Sequence, residues 1–194
     1  VTIIRLLLYQ KGAKMSSQKP KMLLHVCCAP CSSAVLERLR DEFDITGYFY
    51  DPNIHPEEEY IRRLEEGRRF YREIGIPLIE ACYDTDRWFA KTAEFKEAPE
   101  GGRRCEICYD MRLNKAAGFA RENNFDIFAT VLSISPHKKA EKINNIGRSI
   151  AEKCGIKFYE ADFKKKDGFK RSLELSREYN LYRQDYCGCI YSKK

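Results

Sequence analysis

The sequence predicts an α/β fold, a single domain on a mostly parallel sheet with helices on both faces. Three observations carry this expectation. Apolar runs of strand length alternate with segments whose apolar residues recur at helical spacing. Proline and glycine punctuate the junctions. The chemically unusual residues follow the strand-like runs, where parallel sheets present ligands. A chain of 194 residues suits one such domain, placed at 21–194, with 1–20 as an N-terminal extension, either loose or an edge strand.

The elements read in order as follows. KMLLHV (21–26) is a strand, and SSAVLERLR (32–40) is a helix with Ser32 as its N-cap. ITGYFY (45–50) is a second strand. Residues 56–75 form a long amphipathic helix with Pro56 at its start, acids in its first turn and Gly75 at its end. IPLIEACY (76–83) is a third strand, 86–95 a helix, and EAPEGG a break. A helix over 105–123 leads into a long apolar strand, FDIFATVLSIS (125–135). A helix over 138–155 closes on Gly155, IKFYEADF (156–163) is a strand, and 172–180 is the last helix, before a tail rich in Tyr and Cys.

Apolar residues are 43% of the chain and charged residues 33%, which excludes a disordered or membrane-embedded class. The net charge of +6 is a modest basic excess, compatible with a polyanionic partner. The opening run VTIIRLLLY is too short to span a bilayer and lacks a signal-peptide cleavage pattern; Met15 offers an alternative start. The expected compartment is a reducing cytoplasm without membrane attachment, where nine cysteines need a use other than structural disulfides.

Cys82 and Cys154 lie singly in periodic segments and read as buried packing thiols. The other seven are grouped. Cys27, Cys28 and Cys31 lie where a strand turns into a helix. Cys105 and Cys108 open a helix, their spacing placing both sulfurs on one face, and Cys187-Gly-Cys189 lies near the end of the chain. Helix starts favour the thiolate, the metal-binding form. Structural zinc needs four thiolates, which the two CxxC pairs would satisfy, but adjacent Cys27 and Cys28 and three surplus thiols depart from that pattern. A [4Fe–4S] cluster also takes four cysteines and leaves thiols for redox work. Cys187 and Cys189 suit either a labile disulfide or a second metal.

Five ordered motifs then carry a resemblance: CCAPCS, YDPNIHP, RRCEICYDMRL, LSISPHK and LYRQDYCGCIYS, spanning Lys21 to Ser192. Together they resemble the QueH family of cobalamin-independent epoxyqueuosine reductases. The resemblance implies reduction of epoxyqueuosine to queuosine at the wobble position of tRNA, the last step of queuosine biosynthesis. It implies a fold like the adenine nucleotide α-hydrolase-like (HUP) domains and tRNA-thiolating enzymes, although CCAPCS replaces their glycine-rich phosphate loop. Carried over, Cys27, Cys28, Cys105 and Cys108 would ligate a [4Fe–4S] cluster and Cys187 and Cys189 would be the redox pair. Cys31 takes no role. By its place at the end of the second strand, Asp51 could bind a second, adjacent iron or deliver a proton, or else serve as a turn residue before Pro52, and an electron donor outside the chain is required. The competing classes are a zinc-stabilised RNA-binding module and an iron–sulfur tRNA-thiolating enzyme.

Among the remaining residues, His25 reads as a core histidine, while His55 and His137 fall in site loops. Lys164, Lys165, Lys166, Lys170 and Arg171 form a basic run suited to tRNA phosphates or to a solvated face. Tyr179, Tyr182, Arg183 and Tyr186 interleave aromatic and basic character, suited to stacking on an extruded base or to packing of the last helix.

Overall fold

Alternation of side chains along a strand lets one central strand serve two apolar layers. In the computed structural model, which describes residues 19–193, β1 (Lys21–Val26) does this. Its Met22, Leu24 and Val26 join one buried cluster, and Leu23 joins a second. β1 pairs in parallel with β2 (Asp44–Phe49) on one side and β4 (Ile127–Thr130) on the other. β3 (Leu78–Glu80) and β5 (Lys157–Phe158) complete the order β3-β2-β1-β4-β5, every pairing parallel. The expectation of an extension over 1–20 falls almost wholly outside the described residues.

Helices α1 (Ala29–Leu39), α2 (Glu57–Glu73) and α6 (Gly168–Glu178) pack on the first cluster. Helices α3 (Thr85–Thr92), α4 (Arg103–Glu122) and α5 (Ala140–Cys154) cover the second. None of the described helices is long and apolar enough to cross a membrane. Strand order reverses at β1, so β1 and β4 lead into helices on opposite faces and open a crevice at their carboxyl ends.

Several boundaries differ from the sequence expectation for identifiable reasons. α1 starts earlier because Pro30 suits the first turn, so Cys28 takes the N-cap position and Ser32 lies inside the helix, its hydroxyl donating to Ala29 O at 2.9 Å. The apolar run 125–135 is not one strand. Thr130 Oγ1 accepts the Leu132 N–H at 3.2 Å and turns Val131–Ile134 into a 3₁₀ turn. β3 and β5 are short edge strands that pair on one side only. Cys82 therefore lies beyond β3 and is exposed, while Cys154 is half-buried at the end of α5; neither is the core thiol expected. α6 begins at Gly168, four residues ahead of the expected start.

Gly168 and Gly118 make opposite demands. A Cβ on Gly168 would overlap the Phe163 carbonyl oxygen, whereas one on Gly118, inside α4, meets nothing within 4 Å. Gly168→Ala should lower thermal stability by about 2 kcal/mol or more, as an overpacked backbone contact does. Gly118→Ala should raise it by about 0.5 kcal/mol, the usual gain from restricting the unfolded chain. Paired thermal melts check both signs.

Candidate active site

The turn from β1 into α1 brings Cys27, Cys28 and Cys31 together: their sulfurs lie within 4.8 Å of one another. Pro30 and the helical turn supply this convergence, since Cys28 caps α1 and Cys31 sits one turn along. Cys27 packs against both apolar clusters, and the second contains Cys108 and Cys189, with Cys105 packed on it. Cys105 and Cys108 lie in the first two turns of α4, and the Gly101 N–H donates to Cys105 Sγ at 3.2 Å. All seven grouped cysteines are free thiols.

Helix starts alone do not produce thiolates here. Contact with Cys28 raises Cys27, and contact with Cys27 pushes Cys31 up to about 12. Burial pushes Cys28 and Cys108 up to about 12 and also raises Cys105 and Cys189. Such thiols become ligands when a cation replaces their protons. The donor set fits a thiophilic metal centre: three soft sulfurs converge, with fixed positive charge close by. Burial opposes the charge on Arg112 and Lys138, yet neighbouring groups raise both, Asp51 first for Arg112 and Cys187 first for Lys138. Arg63 behaves likewise, with Cys28 the leading favourable neighbour.

Arg112 is buried and ion-paired with Asp51, and its Nε donates to His25 Nε2 at 3.2 Å. That fixes the His25 tautomer, leaving Nδ1–H to donate to Thr130 Oγ1 at 2.8 Å. Burial holds His25 well below the usual histidine range. Burial also pushes the Asp51 carboxyl up to about 6 against the pull of Arg112, and Asp51 Oδ2 has no partner among the described residues.

A cavity of about 640 Å³ opens on this group, lined by Cys27, Cys31, Cys187 and Arg112 together with Lys138, His137, Arg183 and Tyr186. Cys28, Cys105, Cys108, Cys189 and Asp51 are absent from its wall. The expected pair Cys187 and Cys189 is thus divided: Cys187 faces the cavity and Cys189 is buried against the second apolar cluster. The tail carrying them is pinned rather than free. Arg63, ion-paired with Glu59 at 2.6 Å, donates to Cys187 O at 3.1 Å and Tyr186 O at 3.2 Å, and the His55 N–H donates to Gly188 O at 2.8 Å. Gly188 has φ +105° and a Cβ there would press on Ile54, so the residue between the two cysteines must be glycine.

Other sequence candidates separate. His25 is the core histidine expected, His137 lines the cavity, and His55 is buried among Tyr83, Trp88 and Phe89. Tyr179 packs on Phe70 and Tyr182 is held by Glu59 and Arg62, whereas Arg183 and Tyr186 reach the cavity. In the basic run, Lys164 is bound to Ser133 O and Lys138 O at 3.0 Å and Arg171 to Glu37 at 2.7 Å, leaving Lys165, Lys166 and Lys170 exposed. Sequence reasoning missed Arg63, Arg112, Lys138 and Gln184. Only Arg112 had a local signal, four residues after Cys108 on the same helix.

Comparisons with known proteins bear on the family and the fold. The family described as epoxyqueuosine reductase QueH matches residues 22–194. The chain is similar to "Epoxyqueuosine reductase QueH" of Streptococcus pyogenes serotype M1, 44% identical over 92% of this chain and 72% of the relative. It is also similar to that of Thermotoga maritima, 37% identical over 88% and 89%. Among solved structures, the U34-tRNA thiolase NcsA of Methanococcus maripaludis, with its [4Fe-4S] cluster, shares the fold at TM-score 0.57 and 13% identity, covering 91% of this chain and 63% of that one. A predicted subunit of a tRNA methyltransferase from Methanocaldococcus jannaschii shares it at TM-score 0.55 and 15% identity, covering 81% and 75%.

His55 is a candidate source of acid sensitivity. Burial lowers its pKa below 6.5, and its Nε2 has no partner among the described residues. A depressed folded pKa gives stability that is present above the unfolded value and lost as pH falls. The melting temperature should therefore drop from about pH 7.5 to about 5.5, with a smaller drop in His55→Phe. Melts of both proteins across that range measure it, and equal drops would assign the acid sensitivity elsewhere.

Proposed function

Because the chain belongs to the QueH family of epoxyqueuosine reductases, we propose that it converts epoxyqueuosine in tRNA to queuosine, using an iron–sulfur centre held by its grouped cysteines. The observation that carries this reading is the convergence of Cys27, Cys28 and Cys31 at the strand-order reversal, beside a cavity that also receives Cys187. Loss of the epoxide oxygen as water consumes two electrons and two protons and leaves an alkene. Oxidation of the Cys187 and Cys189 thiols to a disulfide releases that number of each, so the pair balances the reaction once per turnover. A donor from outside the chain must then reduce the disulfide.

Cys27, Cys28, Cys105 and Cys108 would hold the [4Fe–4S] cluster, with Cys31 as a further sulfur of the first group. When bound, the cluster supplies electron transfer. A second iron, if used, would draw on Asp51 and the Cys187 and Cys189 sulfurs. In this chain's own chemistry, Arg112 fixes Asp51, and burial raises that carboxyl to about 6 against the pull of Arg112. Cys187 presents its sulfur to the cavity, while Arg63 and Gly188 hold its backbone. Arg183 and Tyr186 suit stacking against the modified base, and a tRNA substrate supports the expectation of a cytoplasmic enzyme. A tRNA-thiolating role is disfavoured because CCAPCS occupies the place of a phosphate loop.

Serine substitution tests the division of labour. Ser at Cys27, Cys28, Cys105 or Cys108 should lower the iron and sulfide content of anaerobically purified protein. Ser at Cys187 or Cys189 should leave the iron–sulfur absorption in place and reduce epoxyqueuosine conversion by at least about a hundredfold, two decades or ~2.7 kcal/mol. Zinc without sulfide in the unmodified protein would overturn the reading, and a near-normal rate in Cys189→Ser would remove the redox pair.

The exposed part of the basic run supports contact with tRNA phosphates. Replacing Lys165, Lys166 and Lys170 with Ala should flatten the salt dependence of tRNA binding, by about 0.7 to 0.9 in logarithmic slope for each lysine that meets a phosphate. Binding isotherms at several salt concentrations measure it. An unchanged slope makes the run a solvated face.

A further inference from the structure

Gln184 lies on a segment fixed at both ends. Leu181 is buried in the first apolar cluster, the Tyr182 N–H donates to Glu66 at 2.7 Å, and Arg63 holds the carbonyls of Tyr186 and Cys187. Between these anchors the Gln184 side chain reaches the thiol group: its Nε2 donates to Cys28 Sγ at 3.1 Å and approaches Cys31 Sγ at 4.0 Å. Its Oε1 is buried with no partner among the described residues. A leucine or methionine would fill a similar volume without stranding an oxygen, so packing alone does not account for an amide here. The orientation is also determined by chemistry. A metal-bound thiolate only accepts hydrogen bonds, so the NH₂ end of the amide must face the sulfur.

We propose that Gln184 is a positioning residue that raises the reduction potential of the iron–sulfur centre through an N–H···S hydrogen bond to Cys28. This rests on the reading above that Cys28 carries iron. Adding an electron makes the thiolate sulfur a stronger acceptor, so a fixed donor stabilises the reduced state more than the oxidised one, and hydrogen bonds to sulfur are among the factors that set such potentials. The amide is neutral and directed. In this it differs from Arg63 and Arg112, whose charges act on the group as a whole. Gln184 also lines the cavity, so one side chain joins the cavity wall to a sulfur that the cavity itself does not reach.

The test is a redox titration of anaerobically loaded protein, followed by visible absorption and electron paramagnetic resonance, with iron and sulfide measured on the same samples. Gln184→Met should retain the iron content of the unmodified protein and titrate at a more negative potential. Gln184→Glu, which replaces the donor with an anion of similar shape, should be shifted further in the same direction. Should the methionine protein fail to load, Gln184→Leu and the glutamate protein supply the comparison. Loaded variants with unchanged potentials would overturn the proposal. Unmodified protein without an iron–sulfur chromophore would instead overturn the underlying reading, so the two failures are distinguishable.

Discussion

A buried guanidinium holds the active end of this molecule together. Arg112 joins α4 to Asp51 after β2 and to His25 on β1, and His25 passes the connection to Thr130 at the end of β4. Burying the Arg112–Asp51 pair carries a desolvation penalty of several kcal/mol per ion, and removing one partner of such a pair typically costs about 3–5 kcal/mol. Its value lies in geometry. Cys27 and Cys28 directly follow the strand that carries His25, and Cys108 precedes Arg112 by one helical turn. The same contacts fix three strand ends against α4, the helix that carries Cys105 and Cys108.

The electrostatics of the site follow from that burial. Thiols packed together away from water keep their protons, and Arg63, Arg112 and Lys138 stand around them with no carboxylate among the three converging sulfurs. Asp51 and Glu59 pair with Arg112 and Arg63, and such thiols become metal ligands when they exchange their protons for a cation that tolerates sulfur. The cavity then meets this group on one flank through Cys27, Cys31 and Cys187, while Cys28, Cys105 and Cys108 remain behind the wall. The grouped sulfurs thus differ in exposure to the cavity, and Cys27 belongs both to the converging three and to the cavity wall.

The C-terminal segment is the least regular part of this design and among the most constrained. Apart from a 3₁₀ turn over Ile190–Ser192, it relies on Arg63, on the His55 backbone and on a glycine in a conformation that other residues strain to adopt. Cys187 is thereby held against the cavity and Cys189 against the second apolar cluster, and bringing the two sulfurs together must work against these contacts.

Local patterning in the sequence determined the strand–helix alternation, the parallel sheet and the positions of the cysteine groups after strand ends, because period and punctuation are properties of short segments. It also carried the family, through ordered motifs along the chain. Which cysteines converge, and what surrounds them, was decided by tertiary packing. The Arg112–Asp51 pair is 61 residues apart in sequence and the Gln184–Cys28 contact 156. An apolar strand pattern over 125–135 was likewise overridden at Thr130, whose hydroxyl serves both His25 and the following turn. Cys82 and Cys31 make the same point in opposite directions: an apolar run suggested a buried thiol that edge pairing left exposed, and a cysteine without an assigned role became the third sulfur of the group. Partners so distant along the chain are chosen by which elements stack on the sheet, a choice that no local window contains.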